Sequence, residues 1–363
     1  YGDIHILKKC YDMMKKWVEY QSSTDRRNYG VRTVDGKEVP EQSDLATIPY
    51  IQVQQCRGDH LTYDNSTPYI YSATAYAAHS ADILRRTAYI LGKTDDEKRY
   101  TELFENIKRA FNDAWVNDDG SVSYYGEVSS QTAHCGESVA LDGSVTRYTY
   151  YAENTPHCPS QTAYALAVDF DLIPTDKLKN TREYFKNSIL RNNCKLTVGF
   201  LGISHLAPAL SKVGLDDVAF KLLEQEDNPS WLYSVKNGAT TIWERWNSYI
   251  AETGTFGDVS MNSFNHYSYG AIGQWFFTDI LGICPVEFGY KSFMLSPKFG
   301  GGLTYAKGSF TSPYGKISSA WKLHDGKFTY DCTVPTNTTA TLKLPNGDIH
   351  TLVGGSYHFE INV

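Results

Sequence analysis

The stretch Gly238-Ala239-Thr240-Thr241-Ile242-Trp243-Glu244-Arg245-Trp246-Asn247-Ser248 carries the clearest chemistry in the chain, because it sets one carboxylate between two indoles. An indole offers a flat apolar face to the C–H side of a pyranose ring, and an adjacent carboxylate can bind hydroxyls or take a proton from water. Together they suit a site that handles sugar. An isolated W-E-R-W is equally compatible with two core tryptophans and a Glu244 that merely pairs with Arg245 or a neighbour, so the surrounding chain has to decide.

Composition leans towards the sugar reading. The chain is 14% aromatic, with 27 Tyr and 7 Trp, which suits a surface rich in stacking and hydroxyl contacts. A net charge of -7, with no block of Lys and Arg, offers nothing to a polyphosphate, so nucleic acid is not expected as a partner. No apolar run reaches the roughly 18 residues of a membrane span, and no membrane partner is expected. The cysteines at 10, 56, 135, 158, 194, 284 and 332 lack C-x-x-C spacing, which argues against zinc, and nothing else calls for a metal or an organic cofactor. Their odd number leaves at least one thiol free. Cys135 and Cys158 flank one polar segment and could bridge it, while Asn65-Ser66-Thr67 and Asn337-Thr338-Thr339 have the form of glycosylation sequons, a match that chance also produces. Export, extracellular or periplasmic, is an open reading beside the cytoplasm.

The elements that must position Glu244 are helical through most of the chain. Ile4, Leu7, Tyr11, Met14 and Trp17-Val18 form an apolar stripe at helical spacing, predicting a helix over 2–20. Pro68 opens a mostly apolar segment, 69–91, whose Ala73, Ala77, Ala78 and Ala81 allow close packing and which Gly92 ends. Asp95 and Asp96 then begin a more polar helix with Tyr100, Leu103-Phe104, Ile107 and Phe111 on one face. The same alternation of buried and amphipathic helices recurs at 160–170 with 176–193, and at 203–212 with 216–225. Stacked hairpins of this kind make an α-solenoid or an (α/α) toroid. Residues 120–158 break the pattern and read as a long excursion of the sort that often rims a site. A last helix is expected over 263–281, ending at Gly282. Beyond it, alternating runs at 316–321, 327–334 and 339–344 between Gly, Asn and Pro turns predict antiparallel strands. Two domains are therefore expected: a helical one over 1–282 and a small β-sandwich over 283–363. Because Tyr1 opens inside an amphipathic pattern, the chain also reads as a piece of a longer polypeptide.

Seven short motifs, in order, carry a resemblance to a known family: Arg57-Gly58-Asp59, Ser66-Thr67-Pro68, Gln161-Thr162-Ala163-Tyr164, Gly199-Phe200-Leu201-Gly202, Pro229-Ser230-Trp231, Gly238 to Trp246, and Met261-Asn262-Ser263-Phe264-Asn265-His266-Tyr267. Over nearly its whole length the chain resembles the family-78 α-L-rhamnosidases. The resemblance implies an (α/α)6 barrel followed by a C-terminal β-sandwich. It also implies hydrolysis of terminal α-linked L-rhamnose from glycosides or polysaccharides with inversion. Inversion needs two carboxyl groups, about 6.5 to 9.5 Å apart, one protonating the leaving oxygen and one activating water. By resemblance Glu244 is the base and His266 contacts substrate. Trp231, Trp243, Trp246, Asp59 and His60 are further substrate-binding candidates. For Asp59 the alternative is a loop-to-helix cap ahead of Pro68. For His266 it is a first-turn helix residue bonded to Asn262 or to a carbonyl.

The chain departs from the family twice. The family's proton donor sits upstream, in an Asp-Cys-Pro-x-Arg-Glu-Arg type motif that this sequence does not contain. The barrel's opening helices belong there too, so the barrel is incomplete in this chain, and an N-terminal segment or companion chain is expected to complete it. Second, His60 follows Gly58-Asp59 where relatives usually carry Trp, exchanging stacking for a polar contact or marking a different substrate choice. Two other readings stand beside the hydrolase. One is a non-catalytic sugar-binding or scaffold subunit, separable by turnover. The other is a toroid enzyme acting on uronic acids, disfavoured because the motifs hold no cluster of Tyr, His and Arg to neutralise a uronate.

Overall fold

A computed structural model describes residues 2–23, 31–34, 37–40, 49–52, 58–63, 67–123, 134–139, 145–150 and 159–363. Arg57, Asn65, Ser66 and Cys158 fall outside the described residues, and with them the expected bridge to Cys135 and the first sequon. The chain divides into two compact units, His5–Tyr269, and Gly270–Val363 together with Tyr1–Ile4.

The first unit is built of helices: α1 Ile4–Ser22, α2 Tyr69–Ile90, α3 Thr94–Trp115, α4 Gln161–Asp169, α5 Leu178–Leu190, α6 Phe200–Lys212, α7 Asp216–Leu223 and α8 Trp231–Lys236. Small side chains let α2 sit tightly in the interior, where Ala75, Ala78, Ala81 and Leu84 are fully buried. The expected face of α3, with Tyr100, Phe104, Ile107 and Phe111, packs inwards. On α1, Tyr11 and Val18 are buried but Ile4 and Trp17 are exposed, so the true inner stripe is narrower than the apolar pattern. Asp96 at the start of α3 receives the Tyr11 hydroxyl at 2.7 Å and Lys15 Nζ at 2.9 Å, which ties α1 to α3. The buried helices α4 and α6 start beside one another. Ser160 caps α4, its Oγ accepting from Ala163 N at 3.0 Å, and the Tyr71 hydroxyl of α2 donates to Ala163 O at 2.8 Å.

Two predicted segments take another form. The excursion contains a hairpin, β1 Val31–Val34 with β2 Lys37–Pro40 being an earlier one, and β3 His134–Val139 pairing antiparallel with β4 Val145–Tyr150. The helix expected from Ser263 begins only at a 3-10 turn, Ser268–Ala271, and continues through the short α9, Ile272–Trp275, into a π turn, Phe276–Ile280. Residues 261–267 stay irregular because their backbone groups are engaged elsewhere, as described below. Another short hairpin, β5 Tyr249–Ile250 with β6 Thr255–Phe256, completes the unit.

The second unit holds two four-stranded sheets. One is ordered β14-β11-β10-β9 and the other β13-β12-β8-β7, with β7 Ile283–Pro285, β8 Ser292–Leu295, β9 Tyr305–Ser312, β10 Gly315–His324, β11 Lys327–Val334, β12 Thr339–Lys343, β13 Ile349–Leu352 and β14 Gly355–Asn362. Alternation puts Ile317, Ser319 and Trp321 of β10, and Phe328, Tyr330, Cys332 and Val334 of β11, in its core. The strands are not all antiparallel as expected: β12 runs parallel to β8. The last helical turns belong to this unit, since the Trp321 indole donates to Ile280 O at 2.9 Å and the Ser319 hydroxyl to Leu281 O at 2.6 Å.

Candidate functional site

Glu244 lies on a loop that is laced to residues 261–268. Its N–H donates to Ser263 O at 2.8 Å, the Ser263 N–H donates back to Glu244 Oε2 at 2.7 Å, and the His266 N–H donates to Ile242 O at 2.8 Å. These bonds account for the non-helical form of the Met261 to Tyr267 motif, since its backbone groups are spent on the Glu244 loop before a helix can claim them. Arg245 does not pair with Glu244. Its Nε donates to Met261 O at 2.7 Å and its Nη2 to Asp258 at 2.8 Å, so the guanidinium braces the same two segments from the side. Glu244 is left half-buried, with Oε2 fixed and Oε1 without a partner among the described residues. A carboxylate with one oxygen anchored and the other open can receive a proton or hold a hydroxyl.

His266 stacks on Phe200 with ring centroids 4.9 Å apart and planes at 20°. Its Nδ1 accepts the Ser268 N–H at 3.3 Å, which puts the ring proton on Nε2 and makes that nitrogen a donor. His60 meets Phe200 edge-on at 5.5 Å. Phe200, which motif reading alone did not single out, thus contacts both imidazoles. Its signal in the sequence was its place at the first position of a helix beginning Gly-Phe-Leu-Gly.

Asp59 lies 6% exposed beneath this layer. One carboxylate oxygen accepts the Gly199 N–H at 2.8 Å and the Thr162 hydroxyl; the other accepts Leu201 N–H at 2.8 Å and Gly202 N–H at 3.0 Å. It is a cap, as one reading of the sequence held, but for α6 and not for the helix after Pro68. Burial pushes its carboxyl above the ordinary value, opposed by the Thr162 hydroxyl and the three backbone N–H groups. A proton on either oxygen would point at an N–H donor. The approach is so close that a Cβ on Gly199 would collide with the His60 carbonyl, and one on Gly202 with the Thr162 hydroxyl, which is why these two positions are glycine.

The tryptophans are buried nearby, Trp246 donating its indole N–H to Val198 just ahead of α6. Trp231, Trp243 and Trp246 are 9%, 7% and 4% exposed. Trp246 stacks on Tyr269 at 3.8 Å and 14°, with its indole N–H on Val198 O at 2.9 Å; Trp231 meets it edge-on at 5.7 Å and donates to Tyr269 O at 2.9 Å. Trp243 sits edge-on to Phe264 at 5.2 Å. Their faces pack on one another, leaving only a shallow depression that they line together with Ser230, Ser234, Ile242, Arg245 and Tyr269. The Tyr269 phenol is raised by burial, then by Asp59, with Glu244 adding to the same effect, so both carboxylates act on one ring. No group of three or more His, Cys, Asp or Glu side chains suited to a metal occurs among the described residues.

Comparison with known proteins finds matches along nearly the whole chain. Residues 1–280 match the family described as bacterial alpha-L-rhamnosidase 6 hairpin glycosidase domain, and residues 282–359 the bacterial alpha-L-rhamnosidase C-terminal domain. An alpha-L-rhamnosidase of Formosa agariphila is 33% identical over 353 residues, covering 97% of this chain and 33% of that protein. One from Streptomyces avermitilis is 34% identical over 346 residues, covering 95% and 28%. Among solved structures, the Streptomyces avermitilis alpha-L-rhamnosidase complexed with L-rhamnose superposes with a TM-score of 0.80 at 30% identity, covering 100% of this chain and 31% of that one. Native rhamnosidase from Aspergillus terreus gives 0.75 at 27% identity, covering 99% and 37%. The chain spans about a third of the length of the curated relatives.

Proposed function

The chain belongs to the bacterial α-L-rhamnosidase six-hairpin glycosidase family, and from that premise we propose that it forms the Glu244-bearing part of an α-L-rhamnosidase that hydrolyses terminal α-linked L-rhamnosyl units with inversion. The observation that carries this reading is the half-anchored Glu244 carboxylate, with Arg245 diverted to Asp258. In that role Oε1 takes the proton of the attacking water while the Ser263 N–H steadies Oε2. His266, donating from Nε2 beside Phe200, holds a sugar hydroxyl, and His60 flanks it. Trp231, Trp243 and Trp246 shape the wall against which the sugar lies.

Inversion needs a second carboxyl as acid. Asp59 is unsuited to it, because four donors already occupy its two oxygens. The proton donor in this reading comes from residues outside this sequence, in an upstream segment or a companion chain that completes the barrel. Support for such a completion comes from α1, whose Ile6, Met13 and Trp17 form an exposed apolar stripe, and from the share of the relatives' length that the chain spans.

Glu244→Gln in the intact protein should lower kcat by about 10²- to 10⁴-fold with little change in KM, the range expected for loss of a general base. The first-formed rhamnose, read by NMR, should be the β anomer. Near-normal kcat in the variant, or an α product, overturns the assignment. A wild-type protein that binds L-rhamnose but turns over no rhamnoside favours the sugar-binding subunit instead.

A further inference from the structure

Tyr267 is the most exposed large apolar side chain among the described residues, at 85%, yet its ring is held in order. It lies parallel to His266, centroids 5.2 Å apart and planes at 14°, and His266 in turn lies parallel to Phe200. From inside outwards, then, three rings are stacked, the innermost anchored where the Phe200 N–H donates to His60 O at 2.9 Å. The loop that carries Tyr267 is the one bonded to Glu244 and Ile242, so the solvent end of the stack belongs to the same wall as the candidate base. Ile242 and Phe264 on these two segments also leave apolar surface exposed. The Tyr267 hydroxyl has no partner among the described residues.

We propose that Tyr267 is a specificity-determining residue on the leaving-group side, its ring receiving the flat apolar face of the ring to which the rhamnosyl unit is attached. The inference rests on the rhamnosidase reading above. Chemically, an aromatic face binds either an aryl aglycone, by offset stacking, or the C–H face of a second pyranose, and the phenol adds a hydrogen bond to a ring substituent. A substrate whose leaving group carries no ring gains nothing from the platform. In the rhamnosidase reading the sugar meets Glu244 and His266, and Tyr267, next to His266 and open to solvent, is placed to meet the group attached to it.

The test compares kcat/KM of the intact protein for an aryl α-L-rhamnoside, an α-L-rhamnosyl-glucose disaccharide and methyl α-L-rhamnoside, in wild type, Tyr267→Ala, Tyr267→Phe and Tyr267→Trp. In Tyr267→Ala the ratio of the ring-bearing substrate to the methyl glycoside should fall by about two- to tenfold, and Tyr267→Trp should restore it. A fall for the aryl substrate alone assigns an aromatic aglycone; a fall for the disaccharide alone assigns a second sugar. Ratios equal to wild type in Tyr267→Ala overturn the proposal. So does an equal loss on all three substrates together with a lowered Tm, since the ring then packs against protein. If wild type turns over none of the three, the rhamnosidase reading fails and the platform with it, an outcome distinct from turnover with unchanged ratios.

Discussion

At the scale of residues, the site is a matter of which groups are spent and which are left open. Glu244 keeps one oxygen available because Arg245 is held by Asp258 and Met261. Burial raises the Asp258 carboxyl, but Ser260, Arg245 and the Met261 N–H outweigh it, and the net position is below the usual carboxylate value. A folded-state value below the unfolded one adds stability at neutral pH, which is lost as pH falls through the folded-state value. Thermal melts should therefore show a decline below about pH 4 that is smaller in Asp258→Asn. The pair is partly exposed, so this variant should cost no more than about 1 kcal/mol of stability. Its larger effect should fall on kcat, because a released guanidinium can turn to the Glu244 carboxylate; a variant with unchanged kcat would mean that Arg245 stays in place without its partner. W-E-R-W by itself left both pairings of Arg245 open, since the choice depends on a residue thirteen positions away.

At the scale of elements, caps and loop pairings decide where the site residues stand. Asp59 joins the loop 58–62 to the starts of α4 and α6 through contacts spanning more than a hundred positions of chain. Asp59→Asn would turn an amide NH₂ towards backbone donors and leave at least one buried N–H unsatisfied, a loss of about 1 to 3 kcal/mol. Equilibrium unfolding should register it, and activity should fall further than stability because Phe200 and His60 are placed by the same junction; a variant as stable as wild type would remove the capping role. The last helix teaches a related point. Ser263 to Tyr267 has helix-compatible composition, but its backbone groups pair with Ile242 and Glu244, so the helix is delayed to Ser268. Likewise, the aromatic motifs were legible in the sequence, whereas the packing of Trp231 and Trp246 on one another and of Trp246 on Tyr269 was not, because burial depends on what arrives on the other face.

At the scale of the whole molecule, the second unit takes the final helical turns with it. Trp321→Phe keeps most of the ring volume but leaves the Ile280 carbonyl without its indole donor inside the core, so unfolding should lose about 1 to 3 kcal/mol; no loss would show that this carbonyl finds another donor. Much of the architecture was determined by sequence alone. The alternation of apolar and amphipathic helices, the change to short strands after Gly282 and the ordered motifs of the rhamnosidase family all arise from local periodicity, turn chemistry and residue type, which neighbours along the chain carry within themselves. Tertiary structure alone decided that Asp59 caps α6, that Arg245 turns from Glu244 to Asp258, that β12 lies parallel to β8 and that Tyr267 remains open to solvent. Each of these is a choice among partners far apart in the chain, and hydrogen-bond geometry and burial settle it only once the helices have brought the competing groups together.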